Sequence, residues 1–250
     1  MNFLRFSFLL IVIFTISCNG PKDNDQVVIT GQVRNAKDVR IVFQELNPDS
    51  SHSLDSVLLD DIGLFRFKCN PEEQGFYVLK FSSGDQIVLL VDKGEKVFLE
   101  TDPGKRPFDY SVQGSPGSEI LRNFYSMTTK NLNKVDSLRS VLMQYRESPD
   151  FYKLSLSFDT LFLKLVQDQK HLQKDFVRQN PYSLASLFVL NYKFGLVPVL
   201  NMKDDFAVYL AVDSVLSEKY PSNKHVLFHH QRVAQHQRQE KEKQSLLKPK

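Results

Sequence analysis

The sequence predicts an α+β protein, in which an N-terminal antiparallel β-sandwich is followed by a C-terminal all-helical bundle. Apolar residues recur with a period of about two between Val27 and Gly114, and with a period of about 3.6 beyond Gly117. Between these regions the segment QGSPGS supplies two glycines and a proline. We therefore place the sandwich at 27–114 and the helical domain at 118–240.

Short apolar runs bounded by turn residues fill the first region. They are rich in Val, Ile and Phe, as strands are. No helical period separates them, which favours an antiparallel sandwich over a parallel α/β sheet. The predicted strands are VVITGQV, VRIVFQEL, two runs of SLDSVLLDDIGLFRFK hinged at 61–63, FYVLKFS, QIVLLV and KVFLET.

The second region predicts four to five helices with short connections. Asp150 is expected to cap the second helix and Ser222 the last, each close to a proline that interrupts the pattern. Beyond Gln235 the strongly apolar residues are Leu246 and Leu247, too few to offset the entropy of ordering that segment. Residues 241–250 are therefore predicted to be a basic tail that is disordered or a frayed helix.

The N-terminus has the pattern of an export signal. Arg5 precedes an apolar run over 8–14, which is shorter than the roughly 20 residues of a membrane-spanning helix. Thr15, Ile16, Ser17 and Cys18 follow, and this segment resembles a bacterial lipobox. We predict a lipoprotein signal peptide at 1–17, lipidation of Cys18 as the membrane anchor, and a flexible tether at 18–26. The alternative is a thiol that lies beside an ordinary cleavage site.

No residue pattern predicts catalysis or a cofactor. The chain has two cysteines and no Cys-x-x-Cys pair, so Cys69 is expected to be a half-buried structural thiol. The acid pairs 60–61 and 204–205 and the serine-rich segment 50–56 are interpreted as structural. Six Lys or Arg and two Glu lie within 232–250, so the basic charge is confined to the C-terminus, where it suits a solvated helix end, anionic lipid or an acidic partner. Nucleic acid is not an expected partner of an exported chain.

Four histidines near the C-terminus are the remaining candidates for chemistry: His225, His229, His230 and His236. On a helix His225 and His229 lie one turn apart and could share a metal ion. They are weak candidates, because no Asp, Glu or Cys follows at a suitable offset before Glu240. A packing role is the alternative.

Three segments together resemble the non-redox part of thioredoxin-like lipoproteins from Gram-negative bacteria, over about 27–233. The first resembles the D-S-V-x-x-D-x-x-G-x-F-x-F hairpin of domain of unknown function 4369, and is carried by Asp55, Ser56, Val57, Asp60, Gly63, Phe65 and Phe67. The second resembles the helical N-P-x-S-x-A-S turn of these proteins, at Asn180, Pro181, Ser183, Ala185 and Ser186. The third resembles their Y-P-x-x-x-H-V connection, at Tyr220, Pro221, His225 and Val226.

The resemblance implies a lipoprotein of the periplasm or outer membrane. In that family a thioredoxin domain with a Cys-x-x-Cys centre normally follows, and nothing here matches it. The first hypothesis is therefore a non-enzymatic accessory or binding module, with a thioredoxin-like domain as one candidate protein partner. The alternative is a truncated or split thiol-disulfide oxidoreductase whose thioredoxin domain is missing or separately encoded. A metal-binding protein that uses the histidine-rich helix is the third hypothesis.

Overall fold

A computed structural model describes residues 25–105, 108–194 and 197–246, so the predicted signal peptide and Cys18 lie outside the described residues. The predicted fold class is confirmed, because a strand-rich region precedes a helical region. The strands are β1 (Val27–Val33), β2 (Arg40–Leu46), β3 (Ser51–Leu58), β4 (Leu64–Cys69), β5 (Gly75–Phe81), β6 (Gln86–Val91), β7 (Lys96–Thr101) and β8 (Tyr110–Gln113). The helical region comprises α1 (Pro116–Gln144), α2 (Phe151–Gln179), α3 (Ala185–Leu190), a short hairpin of β9 (Lys193–Phe194) and β10 (Val197–Pro198), α4 (Met202–Lys219) and α5 (Lys224–Leu246).

The eight long strands form two sheets. The first sheet has the order β4-β1-β7-β8 and the second has the order β3-β2-β5-β6. The pairs are antiparallel except for β1 and β7, which run parallel with Ile29 opposite Val97. A parallel pair is possible because the chain leaves the second sheet after β6, and β7 then joins the first sheet far from β1 in sequence.

The segment that resembles a hairpin is a corner between the sheets. β3 lies at the edge of the second sheet and β4 at the edge of the first, so the two runs are not partners. The turn is fixed by Asp60, whose carboxylate accepts the amide N–H groups of Ile62 and Gly63 at 3.0 and 3.1 Å. Gly63 has φ +71°, and a Cβ there would lie 2.0 Å from the carbonyl oxygen of Val33. Glycine is therefore required for this change of sheet.

The second sheet is covered on both faces. Alternate residues of a strand point to opposite faces, and on β6 the odd-numbered Ile87 and Leu89 enter the core between the sheets. Leu90 on the same strand packs into a second core with the helices, together with Phe76 of β5. The central strand β5 is accordingly buried at six of its seven positions.

The first turn of α1 is attached to the edge of β6. The N–H of Leu90 donates to Ser118 Oγ at 3.1 Å, and Ser115 Oγ donates to the Leu90 carbonyl at 3.0 Å. Both hydroxyls are buried, and Ser115 is also the N-cap of α1. Gly117 lies between them, where an added Cβ would be 2.5 Å from the Leu90 carbonyl oxygen. We call these contacts of Leu90 with Ser115, Gly117 and Ser118 the β6–α1 joint.

Two predicted helix caps are wrong. Asp150 has helical dihedral angles (φ −80°, ψ −4°) and makes no side-chain capping bond. The cap of α5 is provided by Asn223 rather than Ser222, since Asn223 Oδ1 accepts the N–H of His225 at 3.1 Å. The amide of Asn223 also donates to the Gln74 carbonyl at 2.8 Å, which ties the start of α5 to the second sheet. That long-range contact decides between two adjacent residues with similar capping ability.

Asp205, one of the acidic pair interpreted as structural, ties α4 to α2. Its side chain is buried and forms ion pairs with Lys170 and Lys174 of α2 at 2.9 and 2.7 Å. Burial alone would raise the pKa of this carboxyl, but the hydrogen bonds from the two lysines lower it. Asp205 itself leaves helical geometry (φ −120°, ψ 23°), so α4 bends where it is tied to α2.

The end of α5 remains helical where the sequence predicts a tail. Residues 241–246 continue the helix and are exposed, with Lys243 paired to Glu240 at 2.7 Å. Lys, Glu and Gln dominate this stretch and are good helix formers, so the helix needs little packing to continue. Residues 247–250 lie outside the described residues.

The β6–α1 joint leads to a prediction about Gly117. Replacing a helical glycine by alanine usually stabilises a helix by up to about 1 kcal/mol. In Gly117→Ala we expect instead a net loss of about 1–2 kcal/mol in the free energy of unfolding, because the new Cβ meets backbone rather than a flexible side chain. Urea unfolding measures this change.

The matched control is Gly75→Ala, whose added Cβ would lie 3.8 Å from its nearest described neighbours beyond the adjacent residues, the Glu73 carbonyl oxygen and the Tyr77 ring. It should change the stability much less. A Gly117→Ala variant as stable as the parent would show that the joint is not tightly packed.

Candidate ligand-binding groove

A groove of about 530 Å³ lies where the end of the second sheet meets α3, α5 and the segment after α3. We call it the junction groove and define it by Phe76, Phe188, Tyr192, His225, His229 and Arg232. Both halves of the chain contribute to it, so it exists only when sheet and helices are packed together. Pockets that combine apolar surface with convergent polar groups are typical of ligand binding.

One face of α5 supplies the polar groups of the groove. His225, His229 and Arg232 are spaced by four and three residues, so they lie along one side of the helix. The start of α5 is held against the second sheet by Lys224, whose N–H donates to Glu73 at 2.9 Å and whose ammonium group pairs with Glu45. These contacts hold the start of α5, and with it His225, against the second sheet.

His229 presents an unpaired ring nitrogen. Its Nε2 lies 3.1 Å from the carbonyl oxygen of Tyr209, which can only accept, so Nε2 carries the proton. Burial lowers the pKa of His229, and the ring is therefore neutral near pH 7. Nδ1 then has a lone pair, and this buried atom has no hydrogen-bond partner among the described residues. A buried acceptor of this kind is costly to leave unmatched.

His225 is a second neutral imidazole in the same groove. Its ring meets Phe76 edge-on, with the ring centres 4.9 Å apart. Burial, followed by the charge of Lys224, lowers the pKa of His225 to about 4. Its Nε2 likewise has no hydrogen-bond partner within the described part of the chain. The groove thus combines aromatic surface with two buried polar atoms.

The charged side chains that line the groove are basic. Arg232 donates to Asn191 Oδ1 at 3.0 Å and lies over the ring of Phe228, and Lys193 is exposed at the rim. None of the described residues that line the groove is Asp or Glu. The groove therefore favours an anion over a cation.

A smaller recess opens beside the groove. It holds about 120 Å³ and shares Gln86, Phe188 and Tyr192 with the groove. Its other walls come from β6, β8 and α1, and are Val88, Tyr110, Leu121, Phe124 and Tyr125. We call this the aromatic recess, because five of its eight lining residues are Phe or Tyr. It suits one apolar group.

The structure separates the four predicted histidines. His225 and His229 both line the groove, whereas His230 pairs with Asp213 at 3.0 Å and His236 packs against Phe206. Within the described ranges no three His, Cys, Asp or Glu side chains come close enough together to hold a metal ion.

The sequence did not single out Arg232, Tyr192 or Phe76 as site residues. Arg232 had a usable signal, since it lies seven residues after His225 and shares its helix face. Tyr192 and Phe76 had none, because aromatic residues of this kind are usually core. Their exposure to a groove depends on where the helices stop covering the sheet.

Cys69 is a half-buried free thiol at the end of β4. Burial raises its pKa to about 11, with a smaller opposing effect from a hydrogen bond with Tyr77. The thiolate is therefore scarce near neutral pH, and this cysteine is poorly suited to thiol exchange. Most of the serine-rich segment lies in the exposed strand β3.

A second concave surface lies between α2 and α4, with a volume of about 580 Å³. Its floor is aliphatic and includes Val177, Val208 and Val215. The described residues that form it include no buried polar atom without a hydrogen-bond partner. The junction groove is the better candidate because it combines apolar surface with unmatched polar groups.

Comparison with known proteins leaves the family open. No protein-family model matches the sequence, and no curated protein matches it. Sea bream transthyretin in complex with thyroxine is a solved structure that is similar in part, with 12% identity and a TM-score of 0.25 over 35% of this chain and 92% of that chain. A score this low supports no argument about fold or ligand. In residues 25–105, 108–194 and 197–246 no helix is long and apolar enough to cross a membrane.

The neutral state of His225 predicts a pH dependence of stability. Its pKa is 6.5 in the unfolded chain and about 4 in the folded one, so on acidification the unfolded state takes up the proton first. The stability gained from burying the neutral ring is complete above pH 6.5 and is lost as the pH falls from there towards 4. We expect the melting temperature of His225→Phe to fall less than that of the parent over this range.

Differential scanning calorimetry between pH 8 and 4 measures the effect. His229 shifts in the same direction, so part of the slope should remain in the variant. His171→Phe, at an exposed position of α2, is the matched control. Equal slopes for the parent and His225→Phe would contradict a buried neutral His225.

Proposed function

We propose that the protein is a lipid-anchored, non-enzymatic binding module of the cell envelope, which takes its ligand in the junction groove. The observation that carries the binding role is the pair of buried imidazole nitrogens without partners, beside basic and aromatic groups. Buried polar atoms are normally satisfied. A bound molecule whose hydrogen-bonding groups reach these two atoms would satisfy them.

The anchor and the location are proposed from the N-terminal sequence. The short apolar run and the lipobox-like segment that ends at Cys18 support export and acylation. Attached acyl chains would hold the protein at a membrane surface, since each buried methylene contributes about 0.8 kcal/mol. The groove would then face an envelope compartment.

The resemblance to thioredoxin-like lipoproteins supports an accessory role. Two of its three motifs lie next to the groove: the second leads into α3, where Ser186 Oγ donates to the Asn180 carbonyl at 2.8 Å, and the third contains His225. In this reading the motifs position the helices that form the groove walls. A protein partner with a thioredoxin-like domain is one candidate for its occupant.

The alternative, a split or truncated thiol-disulfide oxidoreductase, has less support. Cys69, which is the cysteine within the described residues, has a raised pKa and is half-buried. Redox activity would therefore depend on cysteines supplied by another chain. Reconstitution with a separately encoded thioredoxin-like protein would test that alternative.

The proposed anchor predicts the behaviour of Cys18→Ala. Without the thiol no acyl chain can be attached, so we expect the variant to remain an unprocessed or misplaced precursor. Fractionation of the envelope, followed by mass measurement of the protein, distinguishes the forms. Cys69→Ala is the matched control and should be processed normally. Membrane association of Cys18→Ala at the mature size would contradict the anchor.

The proposed binding site predicts where a photo-crosslinking amino acid will react. Placed at Lys193, on the exposed rim of the groove, it should form adducts in intact envelopes. Placed at Lys153, an exposed position at the start of α2, it should form few. Adducts at Lys193 should also fall when Arg232→Gln is introduced. Intact-protein mass spectrometry provides the readout, and equal labelling at both positions would contradict the proposal.

A further inference from the structure

The edge of β6 beside the aromatic recess has an unused peptide group. Phe81 N–H donates to the Asp85 carbonyl. In the antiparallel register of β5 and β6, the backbone N–H and C=O groups of the odd-numbered residues of β6 therefore point toward β5. The N–H and C=O of the even-numbered residues therefore face away from β5. At Leu90 both groups are satisfied by Ser115 and Ser118. At Val88 they have no hydrogen-bond partner among the described residues, and Val88 lines the recess.

An outward N–H and C=O on one residue form a specific recognition element. They match the C=O and N–H of an extended peptide, which is how peptides add to the edge of a sheet. A simple fatty acid or an inorganic anion has no N–H to offer the Val88 carbonyl. The edge of β6 therefore favours a peptide group over these alternatives.

The aromatic recess sets the size of one side chain. Apolar cavities of about 150 Å³ are known to hold a benzene molecule, and this recess of about 120 Å³ is somewhat smaller. A branched aliphatic side chain such as that of leucine suits it. Burial of such a side chain contributes roughly 1.5–3 kcal/mol, which makes the recess the expected anchor point.

The basic rim sets the charge of the occupant. Arg232 and Lys193 are positive, and the described lining contains no carboxylate. Arginine binds carboxylates with paired hydrogen bonds. Among peptide groups, the C-terminal carboxylate is an anion that every chain has, whatever its sequence.

We infer that the junction groove binds the C-terminal end of an extended peptide, with its carboxylate at Arg232 and Lys193, its last side chain in the aromatic recess and its backbone along the outward edge of Val88. This inference rests on the proposed function, since it names the ligand class of the same groove.

The test uses acetyl-alanyl-alanyl-leucine with a free carboxylate, its C-terminal amide, and the acid that ends in glycine instead of leucine. Isothermal titration calorimetry measures binding to the protein, and methyl NMR shows where each peptide contacts it. We expect the leucine acid to bind at least tenfold more tightly than either other peptide. Rising salt should weaken the acid more than the amide, because only the acid uses the charges.

Two variants assign the contacts. Arg232→Gln should weaken the acid about tenfold and leave the amide nearly unchanged, whereas Arg238→Gln, farther along α5, should alter neither. Val88→Pro removes the outward N–H and should weaken both peptides. Proline is tolerated on an edge strand where its N–H is not part of the ladder. A melting temperature near that of the parent shows that Val88→Pro is folded. If Val88→Pro does not fold, the effect of Arg232→Gln on the acid and the amide decides the test.

The outcomes separate this inference from the proposed function. The C-terminal peptide inference is wrong if the acid and the amide bind equally in the groove. It is also wrong if no peptide binds while adducts at Lys193 persist. In both cases the proposed binding module stands. If the peptides perturb the α2–α4 surface instead and adducts at Lys193 are absent, both fail. Weaker binding of the amide and of the glycine peptide, with the expected loss in Arg232→Gln, supports the inference.

Discussion

The β6–α1 joint is the contact on which the rest of the arrangement depends. An edge strand carries unpaired peptide groups that must be covered or managed. At Leu90 they are covered by the hydroxyls of Ser115 and Ser118, and Gly117 lets the helix approach the strand without a Cβ between them. The same residues form the first turn of α1, so the contacts that cover the edge of β6 also fix where the helical region begins.

That joint explains both the buried character of the second sheet and the place of the groove. The helices cover Leu90 and Phe76, and the sheet therefore has apolar residues on both faces there. Toward Gln86 the cover is incomplete, and the space that remains forms the junction groove and the aromatic recess. Asn223 and Lys224 hold the start of α5 to β5 and β2 on the other side. The groove is thus bounded by two fixed attachments.

The predicted fold class was confirmed because it depends on local periodicity, which changes sharply at QGSPGS. The corner at Gly63 and the parallel pairing of β1 with β7 could not be predicted, since each depends on which sheet a strand joins after a turn. The choice of Asn223 over Ser222 as a cap depends on a contact with Gln74, about 150 residues away in the sequence. Among the residues of the groove, His225 and His229 could be predicted from their helical spacing. Tyr192 and Phe76 could not, because in the sequence they look like ordinary core residues.

The central claim is that the protein binds its ligand at the junction of its two halves. An NMR screen of the methyl-labelled protein against a mixed library of organic acids, amines and neutral compounds tests it without assuming the ligand. The account predicts that acids dominate the hits and that the shifted methyl groups cluster at Leu46, Val88 and Leu187, beside the groove and its recess. Hits that cluster at Val177, Val208 and Val215 between α2 and α4, or that show no preference for acids, would contradict it.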